Sequence, residues 1–164
     1  KVAGGGAGSA VNSCSRLTVP LKVDFKSIVL TNLQEKIMSE KVADWVLHHV
    51  NSSYERKGEK GLRTVSNWKT DGDIEHYGAG FGTLVVEHDM NDPNATNGAC
   101  SWQGEAFLPN GDRLMGYFDG TWEASGGNVW KVAMEGWDSL DGKLRLEGEI
   151  SLAELTFSGT NYKA

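Results

Sequence analysis

The chain has 164 residues, the size of one ordinary domain, which needs neither a metal nor a disulfide simply to fold. It carries 16 Lys and Arg against 22 Asp and Glu, and the resulting charge of −6 argues against a nucleic-acid partner. No stretch approaches the ~20 apolar residues of a membrane span, so we expect a soluble protein without membrane insertion. The composition does not decide between the cytoplasm and a secreted or periplasmic location. Its unusual features are 21 glycines and six tryptophans.

The N-terminal region divides into three predicted segments. Residues 1–16 are rich in small residues and predict a flexible arm, so the single folded domain is expected over 17–164. Residues 17–30 alternate apolar and polar side chains, as a half-buried strand does. Residues 33–50 have apolar side chains at three- and four-residue steps and predict an amphipathic helix, which the polar stretch 51–61 ends as a loop. Cys14 and Cys100 match no zinc or CxxC spacing, and whether they pair is left open.

From about residue 62 onward the pattern is that of β-structure. Turn dipeptides at 110–111, 126–127 and 141–142 predict successive hairpins. The predicted strands are 62–69, 73–88, 99–108, 113–123, 129–138 and 143–157. Consecutive hairpins favour a mainly β fold, an antiparallel up-and-down β-barrel of about eight strands with one N-terminal helix. A two-sheet sandwich is the alternative.

The glycines of these strands fall on the same side-chain phase as the large apolar residues. Gly116 and Gly120, for example, alternate with Phe118 and Trp122. Two interpretations are compatible with this pattern. Inward-facing glycines allow strands to coil sharply, as a small closed barrel requires. Alternatively, the missing side chains leave an open lumen that holds one small ligand.

His76 is a polar residue on this predicted inner phase, and it precedes the glycine run of residues 78–82. A histidine that faces an apolar lumen is a candidate proton-transfer group near neutral pH, whereas a structural histidine bonded to a backbone carbonyl fits the same pattern. The candidate substrate-binding residues, for which plain core filling is the alternative, are Trp102, Phe118, Trp122, Trp130, Met134, Gly78 and Gly80. No phosphate loop or metal-ligand spacing is present, so we expect no metal and no cofactor.

The Trp/Gly hairpins and residues 76–87 (HYGAGFGTLVVE) resemble small calycin-type barrels. The pattern is most similar to the barrel shared by allene oxide cyclases and related bacterial cyclases, and the similarity covers roughly residues 62–162. The resemblance implies a cofactor-free barrel that binds a reactive apolar substrate and shapes its cyclisation or isomerisation. It carries over no catalytic residue.

We therefore expect a small apolar or aromatic organic molecule to bind in the lumen and to undergo a cofactor-free isomerisation, cyclisation or elimination, with His76 transferring the proton. The alternative is a non-catalytic, lipocalin-like carrier or sensor of hydrophobic molecules. A third class is a structural domain with a filled barrel. A homo-oligomer is left open, because Tyr77, Phe81, Met115 and Tyr117 fall on the outer phase and suit either the helix or a subunit interface.

Overall fold

A computed structural model describes residues 40–164, which form eight antiparallel strands closed into a barrel. The strands are β1 (Lys41–Lys57), β2 (Gly61–Lys69), β3 (Ala79–Asp89), β4 (Asn97–Phe107), β5 (Arg113–Gly126), β6 (Val129–Asp138), β7 (Gly142–Ser151) and β8 (Thr156–Lys163). Each strand pairs with the next in sequence, and β1 pairs with β8. The prediction of an antiparallel up-and-down barrel of about eight strands is thus confirmed. The predicted arm 1–16, the strand 17–30 and residues 33–39 lie outside the described residues.

The first strand of the barrel occupies most of the predicted helix, so the helix prediction is wrong for residues 41–50. In that stretch Ala43, Trp45 and Leu47 are buried, and they alternate with exposed Asp44 and Val46. The apolar residues fit a helical period as well as a strand period. The strand is selected by pairing, because β1 closes the barrel between β2 and β8.

Two turns also differ from the sequence prediction. The predicted loop 51–61 is mostly strand, because β1 runs on to Lys57 and turns only at residues 58–60. The predicted strand 143–157 is two strands, separated by a turn at residues 152–155. That turn has no Gly, Pro or Asn. Leu155 itself adopts the left-handed conformation, with φ of 54°.

The barrel interior is packed around aromatic rings. Phe157 is fully buried, and its ring makes edge contacts with Trp45, Trp68 and Trp102 at centroid distances of 4.8, 5.8 and 5.7 Å. The predicted inner phases of β4 to β7 hold, since Phe118, Trp122, Met134 and the leucines of β7 are all buried. Five of the six tryptophans, all except Trp137, therefore lie in the core or pack against it.

Three of the inner glycines lie beneath tryptophan rings. A Cβ placed on Gly82 would overlap the six-membered ring of Trp102, and one on Gly98 would lie 2.8 Å from Nε1 of Trp122. The ring of Trp45 lies over Gly159 in the same way, where a Cβ would be 2.6 Å from its Cζ2. These glycines therefore do not leave empty space, because rings from neighbouring strands fill it.

The two ends of the barrel are formed by different connecting segments. At one end, called the cavity end below, β1 begins, β8 ends, and residues 70–78, 108–112 and 139–141 connect strands. The opposite end carries the turns at residues 58–60, 90–96, 127–128 and 152–155. No helix of the described residues is long and apolar enough to cross a membrane.

Large apolar side chains also lie on the outside of the barrel. Phe81 and Met115 flank Glu105 on adjacent strands, and Tyr117 pairs directly with Trp137. All four of these apolar side chains are exposed. The outer phase predicted for Phe81, Met115 and Tyr117 is therefore observed, whereas Tyr77 is buried.

Candidate functional site

The connection between β2 and β3 contains a tight turn that reverses the predicted side-chain phase. Ile74 and Gly78 exchange two backbone hydrogen bonds of 2.8 Å, and His76 between them has a φ of 78°. Because β3 starts only at Ala79, residues 73–78 do not continue the strand phase. Tyr77 is consequently the buried member of the turn, at 7% exposure, and His76 is exposed. The sequence pattern had predicted the reverse.

His76 lies at the cavity end in an ionic cluster rather than inside the lumen. Its Nε2 is 2.6 Å from Oδ2 of Asp141, whose Oδ1 accepts a hydrogen bond of 2.7 Å from Nζ of Lys163. Burial alone would raise the pKa of Asp141, but the hydrogen bonds from Lys163 and His76 outweigh it and the pKa is lowered. The cluster ties the 74–78 turn to the β6–β7 turn and to the end of β8.

A partly open cavity of about 100 Å³ occupies the lumen at the cavity end. Its wall is mostly apolar, and five polar or charged residues also line it. The main apolar residues are Trp45, Leu47, Ile74, Trp102, Leu114, Phe118, Leu146 and Phe157, and the five polar or charged ones are Thr70, Tyr77, Glu105, Asp138 and Asn161. We call this space the lumen cavity.

Three of the lining residues form a buried hydrogen-bond chain. Trp45 Nε1 donates to Oδ1 of Asn161 at 3.0 Å, and Nδ2 of Asn161 donates to the Tyr77 hydroxyl oxygen at 2.8 Å. Burial raises the pKa of Tyr77, and the charges of Asp138 and Asp141 raise it further, against the opposing effect of the Asn161 hydrogen bond. Tyr77 therefore remains a neutral phenol throughout the physiological pH range.

Asp138 is the buried carboxyl group of the lumen cavity, with 3% of its surface exposed. It ends β6 on the inner phase opposite Gly116, where an added Cβ would lie 3.1 Å from the Asp138 Cβ. Its Oδ1 accepts backbone hydrogen bonds from Leu140 at 2.9 Å and from Asp141 at 2.6 Å. Burial raises the pKa of Asp138, although these two hydrogen bonds partly oppose the shift.

The predicted substrate-binding residues divide into two groups. Trp102, Phe118 and Gly80 line the lumen cavity. Met134 and Trp122 are buried elsewhere in the barrel core, with half-buried Trp130 packed against it. Gly78 lies in the 74–78 turn, where an added Cβ would overlap the backbone of Phe107, so its role there is to permit close backbone approach.

The sequence reasoning missed three polar residues of the lumen cavity. Asp138 could have been found, because it continues the inner phase of its strand by one step after Gly136, whereas Asn161 could not, because the unpredicted turn at residues 152–155 shifts the alternation between β7 and β8. Tyr77 could not be found by phase, because the left-handed residue before it shifts the alternation. Cys100, by contrast, is a free thiol in the core, and burial raises its pKa to about 11.

The lumen cavity thus offers an apolar wall, a phenol, a carboxamide and a buried carboxyl group. Such a set can orient a small molecule through one or two polar atoms and can exchange a proton with it. Within residues 40–164, no three His, Cys, Asp or Glu side chains are grouped in a way that could hold a metal ion. Comparisons with protein-family models, with curated proteins and with solved structures found no match for this chain.

Proposed function

We propose that the barrel binds a small, mostly apolar organic molecule in the lumen cavity. The observation that carries the proposal is an apolar wall into which three buried polar side chains, Tyr77, Asp138 and Asn161, converge. Ligand sites are commonly built in this way, because the apolar wall supplies affinity and a few placed polar groups fix orientation.

The size of the lumen cavity limits the ligand. Its volume of about 100 Å³ is below the ~150 Å³ of an engineered cavity that holds benzene. The ligand is therefore a compact molecule, or the compact end of a longer one that reaches solvent through the open side of the cavity.

Filling the lumen cavity tests this proposal. Ala106 lies on the inner face of β4 and lines the cavity, so Ala106→Leu should occupy the space that the ligand needs. Compact apolar compounds should raise the Tm of the wild-type protein but not that of Ala106→Leu. Ala99→Leu on the exposed face of the same strand is the control and should respond like the wild type. Equal Tm shifts in all three proteins, or no shift in any of them, would contradict the proposal.

A second candidate function is a cofactor-free isomerisation, cyclisation or elimination of the bound molecule. Asp138 favours it, because a buried carboxyl group with a raised pKa can give up or accept a proton closer to neutral pH than an ordinary aspartate can. The resemblance to cyclase barrels points to the same class of reaction. The competing candidate is a carrier or sensor, which would release its ligand unchanged.

Mass spectrometry of the ligands identified by thermal shift separates these candidates. Conversion by the wild type but not by Asp138→Asn, with binding retained, would support a catalytic Asp138. His76→Gln tests the proton-transfer role predicted for His76, and full turnover in that variant would remove it. Quantitative recovery of unchanged ligand from the wild type would favour the carrier.

A further inference from the structure

The hydrogen-bond chain that begins at Trp45 has a fixed direction. The indole N–H of Trp45 is only a donor, so the atom of Asn161 that faces it must be the carbonyl Oδ1. The amide Nδ2 then faces Tyr77 and must donate to its hydroxyl oxygen. The indole N–H therefore fixes the positions of Oδ1 and Nδ2 in the Asn161 side chain. This in turn makes the Tyr77 hydroxyl oxygen an acceptor.

Because the Tyr77 hydroxyl oxygen accepts this hydrogen bond, its O–H group can still donate one to another acceptor. Within residues 40–164 the hydroxyl has one hydrogen-bond partner, Asn161, and toward that partner it is the acceptor. Tyr77, Asn161 and Trp45 all line the lumen cavity. A buried O–H group that has no acceptor and lies beside a cavity favours a ligand that accepts a hydrogen bond.

We infer that the molecule bound in the lumen cavity is neutral and carries an acceptor oxygen, such as a ketone carbonyl, that accepts a hydrogen bond from the Tyr77 hydroxyl group. This inference rests on the proposed function. A carboxylate or phosphate is disfavoured, because it would bring a negative charge into a mostly apolar space beside the buried carboxyl group of Asp138. A pure hydrocarbon is accommodated by the walls but leaves the hydroxyl proton without a partner.

The inference is tested with two probes of nearly equal shape, cyclopentanone and methylenecyclopentane. Their dissociation constants are measured by NMR titration, with the indole N–H signal of Trp45 as the reporter. Tyr77→Phe should weaken cyclopentanone binding by about three- to tenfold and should change methylenecyclopentane binding by less than about twofold. Tyr54→Phe, which removes the hydroxyl of an exposed tyrosine on β1, should change neither value.

An infrared measurement on the wild type gives an answer that does not depend on the folding of the variant. The C=O stretch of bound cyclopentanone should lie at lower frequency than in an alkane solvent, because a donated hydrogen bond weakens the carbonyl bond. An unshifted stretch would overturn the inference, as would equal weakening of both probes by Tyr77→Phe. In both cases binding itself would remain, and the proposed function with it. If neither probe binds to the wild type, the inference and the proposed function both fail.

Discussion

Two tryptophan rings of this barrel each cover an inner glycine of the neighbouring strand. Trp102 on β4 covers Gly82 on β3, and Trp45 on β1 covers Gly159 on β8. The ring fills the space that the absent side chain leaves, so the barrel attains dense packing while its strands remain close together. The glycines of these pairs therefore do not create an open lumen, because a ring packs over each of them. The interpretation of the glycines as open space applies only to the lumen cavity.

The first prediction concerns one such pair. Gly82→Ala should destabilise the protein by about 1–3 kcal/mol, because its methyl group would meet the Trp102 ring and displace it. Gly80→Ala, two residues away on the same face, is the matched control, since its nearest neighbour would be a methyl of Thr70 at 3.4 Å. The free energy of unfolding in urea measures both changes. Equal effects of the two substitutions would contradict the pairing.

The second prediction concerns the buried carboxyl group of Asp138. Because its pKa is raised in the folded state, the folded protein binds a proton more tightly than the unfolded chain does. The free energy of unfolding therefore falls as the pH rises from the ordinary aspartate pKa through the raised value. Asp138→Asn does not titrate, so its stability relative to the wild type should increase between about pH 4 and pH 7. Urea unfolding at several pH values measures this difference.

The control for this experiment is Asp71→Asn, which removes a carboxyl group from an exposed position after β2. Its stability relative to the wild type should not show the pH dependence that is expected of Asp138→Asn. A flat difference between the wild type and Asp138→Asn across the same pH range would contradict a raised pKa for Asp138.

At the scale of elements, Asn161 ties three parts of the chain together at the cavity end. From β8 it accepts a hydrogen bond from Trp45 on β1 and donates one to Tyr77 in the 74–78 turn. The third prediction is that Asn161→Ala costs about 2–4 kcal/mol, because two buried polar groups lose their partner. Asn51→Ala removes an exposed side-chain amide whose one partner within residues 40–164 is Asn67, and it should cost less than about 0.5 kcal/mol. Similar losses in thermal or urea unfolding would contradict this role.

The sequence was informative about elements wherever local signals and strand phase agreed. Strands β2 and β4 to β6 and the inner faces of β4 to β7 were predictable, because glycine-containing turns mark the hairpins and the alternation is regular. Strand β1 was not, because its apolar spacing fits two periods and only its partners β2 and β8 decide between them. The turns at His76 and Leu155 were hidden for a different reason, since non-glycine residues there adopt positive φ.

The site was less predictable than the fold for the same physical reason. Trp102, Phe118 and Gly80 lie on regular strands and were correctly expected to share one face. Tyr77 and His76 lie in the 74–78 turn, where one left-handed residue exchanges which side chain points inward. Local alternation cannot report that exchange, so the pattern placed His76 inside the lumen where the structure has Tyr77.

At the scale of the whole molecule, closure of the barrel buries Cys100 away from the lumen cavity, so a reagent reaches its thiol only when strands separate. Cys100 lies on the inner face of β4 in the core, and burial raises its pKa from 9.0 to about 11. The fourth prediction is that, with Cys14 replaced by serine, Cys100 reacts with a disulfide reagent at least about 100-fold more slowly in the folded protein than in urea. Absorbance of the released thiol measures the rate.

An exposed neighbour supplies the comparison for this labelling experiment. Ala99→Cys in a chain that also carries Cys14→Ser and Cys100→Ser presents a thiol on the outer face of the same strand. It should react at nearly the same rate with and without urea. Rapid labelling of Cys100 under native conditions would show that β4 opens locally, without unfolding of the barrel.

The barrel also begins and ends at one place. The backbone N–H of Lys163 donates to the carbonyl of Glu40 at 2.8 Å, so the two limits of residues 40–164 are hydrogen-bonded neighbours. In an up-and-down barrel, the order of the strands around the ring does not depend on where the chain is cut. Joining Glu40 to Ala164 and cutting between Gly126 and Gly127 would give a circular permutant with every strand pair preserved. The new termini would lie at the end opposite the lumen cavity. The rim of the cavity would then contain no chain terminus.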